Sequence, residues 1–177
     1  MNSNITTIVS AASFALALSM AAPTLADERK VETGTAIASG GEPIDTLKFI
    51  NPPGLYDPRP NAYSHLAVFP AGWRMILPAG QGGENAKGEL SPSFSIQLRQ
   101  ALDNTETVLA AAGAKMSDVA KFNLLIVDHS DEKFSDVRKE FDRVWGDTKP
   151  AWTLIPVPAL ALKGMLVEID VIAVVPR

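Results

Sequence analysis

The sequence predicts an α+β domain in the order β-β-α-β-α-β-β, an antiparallel-rich sheet with two helices packed on one face. Three observations carry this. Phe94 to Ala112 and Phe134 to Val144 repeat apolar residues at helical spacing. Short apolar runs bounded by Gly and Pro flank both segments. In the last run, Val167, Ile169, Val171 and Ala173 share one side and Leu166, Glu168, Asp170 and Ile172 the other.

The amino terminus decides which residues belong to that domain. Met1 to Ala26 has no Asp, Glu, Lys or Arg, and its apolar run Ile8 to Met20 ends in Thr24-Leu25-Ala26 before Asp27-Glu28-Arg29-Lys30. Small residues at the third and first positions before a cut are the signal-peptidase pattern. A bilayer needs about 20 apolar residues, so the run is too short to span one. Residues 1–26 therefore read as a signal peptide cleaved after Ala26, although Met1 to Asn4 offers no basic side chain. The mature chain would be periplasmic or secreted, with no membrane attachment. Residues 27–62 read as an N-terminal arm or linker. Pro52, Pro53, Pro58 and Pro60 keep it extended, with one edge strand near Leu47 to Ile50.

Residues 63–177 form the domain. Leu66 to Phe69 and Arg74 to Leu77 flank Pro70-Ala71-Gly72 and read as a hairpin. Pro78 to Gly83 ends the second strand in a glycine-rich loop that another backbone can approach closely. Ser91 can cap the first helix, with Pro92 where a missing N–H costs nothing, and Gly113 is placed to end it. Lys121 to Val127 is the next strand. Ser130-Asp131-Glu132 opens the second helix, which buries Phe134, Val137, Phe141 and Val144 and stops at Gly146. Ala151 to Val157 and Leu166 to Val174 close the chain. The middle strand is apolar on both sides, Phe122, Leu124 and Ile126 against Leu125 and Val127. A monomer would leave one of these faces in water, so assembly through the uncovered sheet face is expected.

Composition narrows the function classes. The mature chain, about 150 residues, is the size of one domain. Its net charge is −4, with no basic run, which argues against nucleic acid as a partner. With no cysteine, thiol catalysis and thiolate metal sites are excluded. His65 and His129 share no ligand spacing with each other or with carboxylates, so no metal site is expected. Gly80 to Gly83 lacks the Lys-Ser/Thr of a phosphate loop.

Several spaced motifs resemble the Rid (YjgF-type) family. Pro150-Ala151-Trp152-Thr153 followed by Val167-Glu168-Ile169-Asp170-Val171-Ile172-Ala173 is similar to its C-terminal signature, Pro-Ala-Arg-Ser/Thr and then Val-Glu-Ile-Glu-Ala-Ile-Ala. Tyr63-Ser64-His65, Ala79-Gly80-Gln81 (family Ser-Gly-Gln) and Gln97 to Ala112, including Leu102-Asp103-Asn104, match in order. The resemblance covers roughly residues 60 to 175. It implies a chorismate-mutase-like, ferredoxin-like α+β fold, a barrel-like homotrimer with small-molecule ligand clefts at subunit boundaries, and no cofactor. Its best-known members hydrolyse enamines and imines such as 2-aminoacrylate.

The same resemblance gives the candidate site. In those deaminases the Arg of Pro-Ala-Arg clamps the substrate carboxylate, a role that suits a planar cationic fork. Trp152 stands there instead, and an indole offers one neutral donor and an apolar face. Losing the fork costs on the order of a hundredfold or more in affinity, so amino-acid-derived imines are not expected as good substrates. Glu168 matches the acid that holds a water near the imine carbon. Tyr63 and Gln81 match ligand-lining positions, Gly80 lies between, Ala79 replaces a hydroxyl, and Arg138 replaces a common Asn and could supply a substitute anion contact. Trp152 fits two placements, a cleft wall or a packing residue in the barrel. Arg138 fits a cleft or a solvated helix face, and Glu168 and Asp170, about 7 Å apart on a strand, also fit ion pairs with a neighbouring subunit. The readings left open are a ligand-binding trimer, a hydrolase of a different small imine or enamine, and an endoribonuclease, which the acidic charge opposes.

Overall fold

The structure is a computed structural model that describes residues 43–177. The signal-peptide reading of residues 1–26 and the first part of the arm lie outside the described residues. Strands are β1 (Lys48–Ile50), β2 (Leu66–Val68), β3 (Arg74–Ile76) and β4 (Gln81–Gly82), followed by helix α1 (Phe94–Ala111). Then come β5 (Val119–Val127), α2 (Asp131–Trp145), β6 (Ala151–Val157) and β7 (Val167–Val175).

The main sheet runs β3-β7-β5-β6, with β4 also paired to β7. β7 is antiparallel to β5, while β5 and β6, joined through α2, are parallel. Alternation along the central strands selects the helix-facing side. Phe122, Leu124 and Ile126 of β5 and Val167, Ile169, Val171 and Ala173 of β7 are buried there. They meet Leu98, Leu102 and Leu109 of α1 and Val137 and Phe141 of α2, the stripes expected from helical spacing. Each such side chain contributes about 1.5–3 kcal/mol of transfer free energy. On the far face Leu125, Val127, Glu168 and Ile172 are only half-buried, and Asp170 is exposed.

Local chemistry explains the helix ends. Ser130 Oγ accepts the N–H of Lys133 at 3.2 Å and caps α2, whose first turn carries Asp131 and Glu132. Its far end stops at Gly146, and the nearly buried Lys149 donates to the Gly146 carbonyl and pairs with Asp142 at 2.8 Å. Gly113 follows α1 with φ +74°, as placed from sequence.

Three expectations are corrected. Leu66–Val68 and Arg74–Ile76 do not form a hairpin: β2 pairs with β1 of the arm, and β3 pairs with β7. Pairing β2 with the preceding arm strand and β3 with the last strand gives both an antiparallel partner, and local spacing is blind to that choice. The first helix begins after Ser93, and the Ser91 hydroxyl instead accepts the Ser93 N–H at 3.1 Å. The glycine-rich loop also contains a strand, β4, because its backbone hydrogen-bonds to β7.

Candidate functional site

Glu168 sits on β7 opposite Gly82, on the face away from the helices. A Cβ added at Gly80 would fall 2.0 Å from Glu168 Oε1 and 2.9 Å from its Cδ. The carboxylate thus occupies the space that any side chain at Gly80 would need. The Gln81 amide turns back and donates to the carbonyls of Ala79 (2.9 Å) and Gly80 (3.2 Å). Ala79, Gly80, Gln81 and Glu168 are therefore brought together as one wall.

That wall is held in place from α1. Asn104 Nδ2 donates to the carbonyls of Gly82 and Glu84, both at 2.9 Å. Gly83 packs so tightly that an added Cβ would lie 2.6 Å from the Gln97 Cα, the close approach expected of this loop. Gln97 is fully buried, donates to the carbonyls of Ser91 and Gly164, and accepts the N–H of Leu166. A buried amide in an apolar stripe must find such partners, and this one does.

Trp152 lies elsewhere. It pairs in register with Phe122, so its ring falls on the helix-facing side. The indole stacks on Phe122 with centroids 5.5 Å apart and meets Phe141 edge-on at 5.2 Å. Its N–H donates to the Ala62 carbonyl at 2.8 Å. The ring therefore does not take the barrel-side placement: it packs on the helix-facing side, edge-on to Tyr63 with centroids 6.4 Å apart. Tyr63 is brought there by Ser64, whose N–H and hydroxyl bind the carbonyls of Pro150 and Lys149 at the start of β6. Arg138 is exposed on α2, its guanidinium 5.3 Å from the centre of the Phe134 ring, which leans on Trp152 at 6.4 Å. Tyr63, Trp152 and Arg138 thus belong to a second wall.

The two walls do not meet within one chain. Glu168 faces the same side as Leu125, Trp152 the same side as Phe122, and these β5 residues point to opposite faces. β5 also stands between β7 and β6.

Sequence reasoning missed the part played by the arm. Tyr56 hydrogen-bonds through its hydroxyl to that of Tyr63. Partial burial first, and Tyr56 second, push the Tyr63 phenol up to about 12. Beside Tyr63 opens a cavity of about 600 Å³, lined by Phe49, Asn51 and Arg59 of the arm and by Asp142 and Lys149 at the end of α2. Arg59 is tied bidentately to Asp57, with both contacts at 2.8 Å. The one sequence signal for these contacts was the aromatic residue inside a proline-fixed segment.

The family profile described as Endoribonuclease L-PSP matches residues 57–175. The chain belongs to the Rid (YjgF-type) family. A RutC family protein of Pyrococcus horikoshii is 34% identical over 91 residues, 51% of this chain and 67% of the relative. The 2-iminobutanoate/2-iminopropanoate deaminase of Escherichia coli K12 is 34% identical over 104 residues, 56% and 79% of the two chains. Among solved structures, a Rid family protein of unknown function from Yersinia pestis is similar with a TM-score of 0.69 at 32% identity, covering 73% of this chain and 99% of that one. The Escherichia coli YjgF gene product gives a TM-score of 0.51 at 33% identity, covering 56% and 80%. The α+β fold read from the sequence is therefore the Rid fold, and membership supports a small-molecule-binding or imine-deaminase-like role. All the candidate residues lie within the matched stretch, whereas Tyr56 precedes it by one position.

Proposed function

We propose that this Rid chain is exported, assembles as a homotrimer, and binds a small molecule in clefts between subunits that are no longer tuned to amino-acid-derived imines. The partition of the candidate site carries this reading. One copy offers the Glu168–Gly80 wall on one sheet face, and a neighbour would complete it with Tyr63, Trp152 and Arg138. The half-buried Leu125, Val127 and Ile172 give the far face the apolar character that assembly needs. The indole at the position of the family Arg supports the change of ligand. It carries no charge, and its N–H is already bound to Ala62. Arg138 is the exposed cation of that wall. If it anchors an anion, a carboxylate ligand weakens in Arg138→Ala.

The test is a crystal structure of the assembled protein soaked with small carboxylates and aromatic amines. Density between Glu168 of one copy and Tyr63 of its neighbour is expected, and occupancy elsewhere rejects the cleft.

A second reading is favoured by the carboxylate held over the bare backbone of Gly80. Glu168 would then act as general base on an imine or enamine without a carboxylate. It takes a proton from water as the oxygen attacks the carbon of the protonated imine and the C=N electron pair moves to nitrogen, giving a neutral carbinolamine. The Glu168 carboxyl then returns that proton to the amine nitrogen, and loss of the hydroxyl proton as the C–N bond breaks releases ammonia and the carbonyl product. No acceleration over buffer for a panel of imines made in situ, carboxylated and decarboxylated alike, removes this reading. Ribonuclease activity sits poorly with a net charge of −4. RNA cleavage persisting after removal of trace nucleases would reinstate it. Export predicts a mature chain beginning at Asp27 in the periplasmic or culture fraction, read by amino-terminal sequencing.

A further inference from the structure

The arm adds to the proposed cleft something the family-matched stretch does not contain. Its loop is fastened at both ends: β1 pairs with β2, and Ser64 binds the carbonyls of Lys149 and Pro150. Between these points Asn51 Oδ1 accepts the His65 N–H at 2.9 Å, and the His65 ring nitrogen Nε2 hydrogen-bonds to the Tyr56 carbonyl at 2.9 Å. The rings of Tyr56, Tyr63 and His65 then meet edge to face, with centroids 5.3 to 6.3 Å apart. The outcome is that the two phenol hydroxyls hydrogen-bond to each other.

A phenol can donate one hydrogen bond and accept others. When one O–H donates to the second oxygen, the second O–H stays free and becomes a stronger donor through polarisation along the chain. The pair therefore presents one reinforced, uncharged donor beside an apolar ring wall. The cation on the same loop, Arg59, is charge-paired with Asp57 through both Nε and Nη2. Burial and Tyr56 also keep Tyr63 protonated, at about 12, so it remains a donor at neutral pH. The phenol pair itself gives a carboxylate no charge to replace its lost hydration, whereas a neutral carbonyl gives up little.

We propose that Tyr56 and Tyr63 act together as a paired-phenol donor that makes the cleft selective for a flat, uncharged ligand with a carbonyl-type acceptor. This rests on the reading above that Tyr63 faces the cleft, and it makes Tyr56 a specificity-determining residue supplied by the arm.

Benzamide and benzoate, matched in shape and differing in charge, are the probes, with binding to the full mature protein followed by ligand-observed NMR. The wild type is expected to bind benzamide more tightly than benzoate. Tyr56→Phe, which keeps the ring and its packing, should weaken benzamide about fivefold or more, as should Tyr63→Phe. Tyr56 and Tyr63 are the only two tyrosines in the chain, so an ultraviolet tyrosinate titration of Tyr56→Phe reads Tyr63 alone. Its midpoint should fall from about 12 toward the ordinary 10. A fallen midpoint with unchanged benzamide affinity overturns the proposal and leaves the cleft reading standing. Tighter benzoate binding that disappears in Arg138→Ala also overturns it, in favour of an anion site at Arg138. If neither probe binds the wild type, the proposal fails together with the cleft reading.

Discussion

Trp152 shows what a single position can and cannot reveal. Its identity was legible in the sequence, and the proposal of a missing cationic fork rests on it. Its direction was not, because the face a strand residue takes depends on the register with β5. The indole is wedged among Phe122, Phe134 and Phe141. Trp152→Arg should therefore not restore a carboxylate clamp. It should cost about 2–4 kcal/mol, measured by urea denaturation, by removing an aromatic ring and placing a charge among apolar ones. Glu168 and Gly80 behave in the opposite way. The atom that a Cβ at Gly80 would strike is the end of a flexible side chain, so Gly80→Ala should move the carboxylate at little cost. Its urea midpoint should stay close to the wild type's, while ligand affinity or hydrolysis drops as it does in Glu168→Gln. The contribution of Tyr56 was hidden because a proline-fixed arm carries no periodicity from which its contacts could be read.

Between elements, the helices and the long strands were legible because their hydrophobic spacing repeats over many residues. The short strands were misread where partner choice decides: β2 took the preceding arm strand β1 rather than β3. The ties between the helices were also invisible to periodicity. Glu140 on α2, 8% exposed, accepts from Arg99 of α1 at 3.1 Å and from Arg143 at 2.7 Å. Burial alone would raise its carboxyl, but the two guanidiniums more than offset this and hold it below its usual value. A depressed folded-state value stabilises the fold above the unfolded carboxylate range, and that stability is lost as pH falls through the folded value. Glu140→Gln should thus cost about 1–2 kcal/mol at pH 7, with the difference from wild type shrinking in acid below about pH 4. Thermal unfolding at both pH values checks it. Gly83 offers a steric counterpart. A Cβ there meets the Gln97 backbone, which cannot swing aside, so Gly83→Ala should cost about 1–3 kcal/mol in the same assay.

For the whole molecule, the far sheet face is the surface that the proposed assembly would cover. Leu125, Val127 and Ile172 are half-buried there, next to Glu168, and the second candidate wall lies on the opposite face. Apolar strands on both sides raise the expectation of assembly from the sequence, and the number of copies comes only from the family resemblance. Sedimentation analysis should give three copies, and Ile172→Asp should reduce the mass to one while abolishing ligand binding. The central claim is that this Rid protein has given up the anchor for an amino-acid-derived imine. The most direct test is the decay of 2-iminopropanoate, generated by an amino-acid oxidase, with and without the purified mature protein. Equal decay rates are predicted, and rapid, protein-dependent conversion to the keto acid and ammonia would contradict the account.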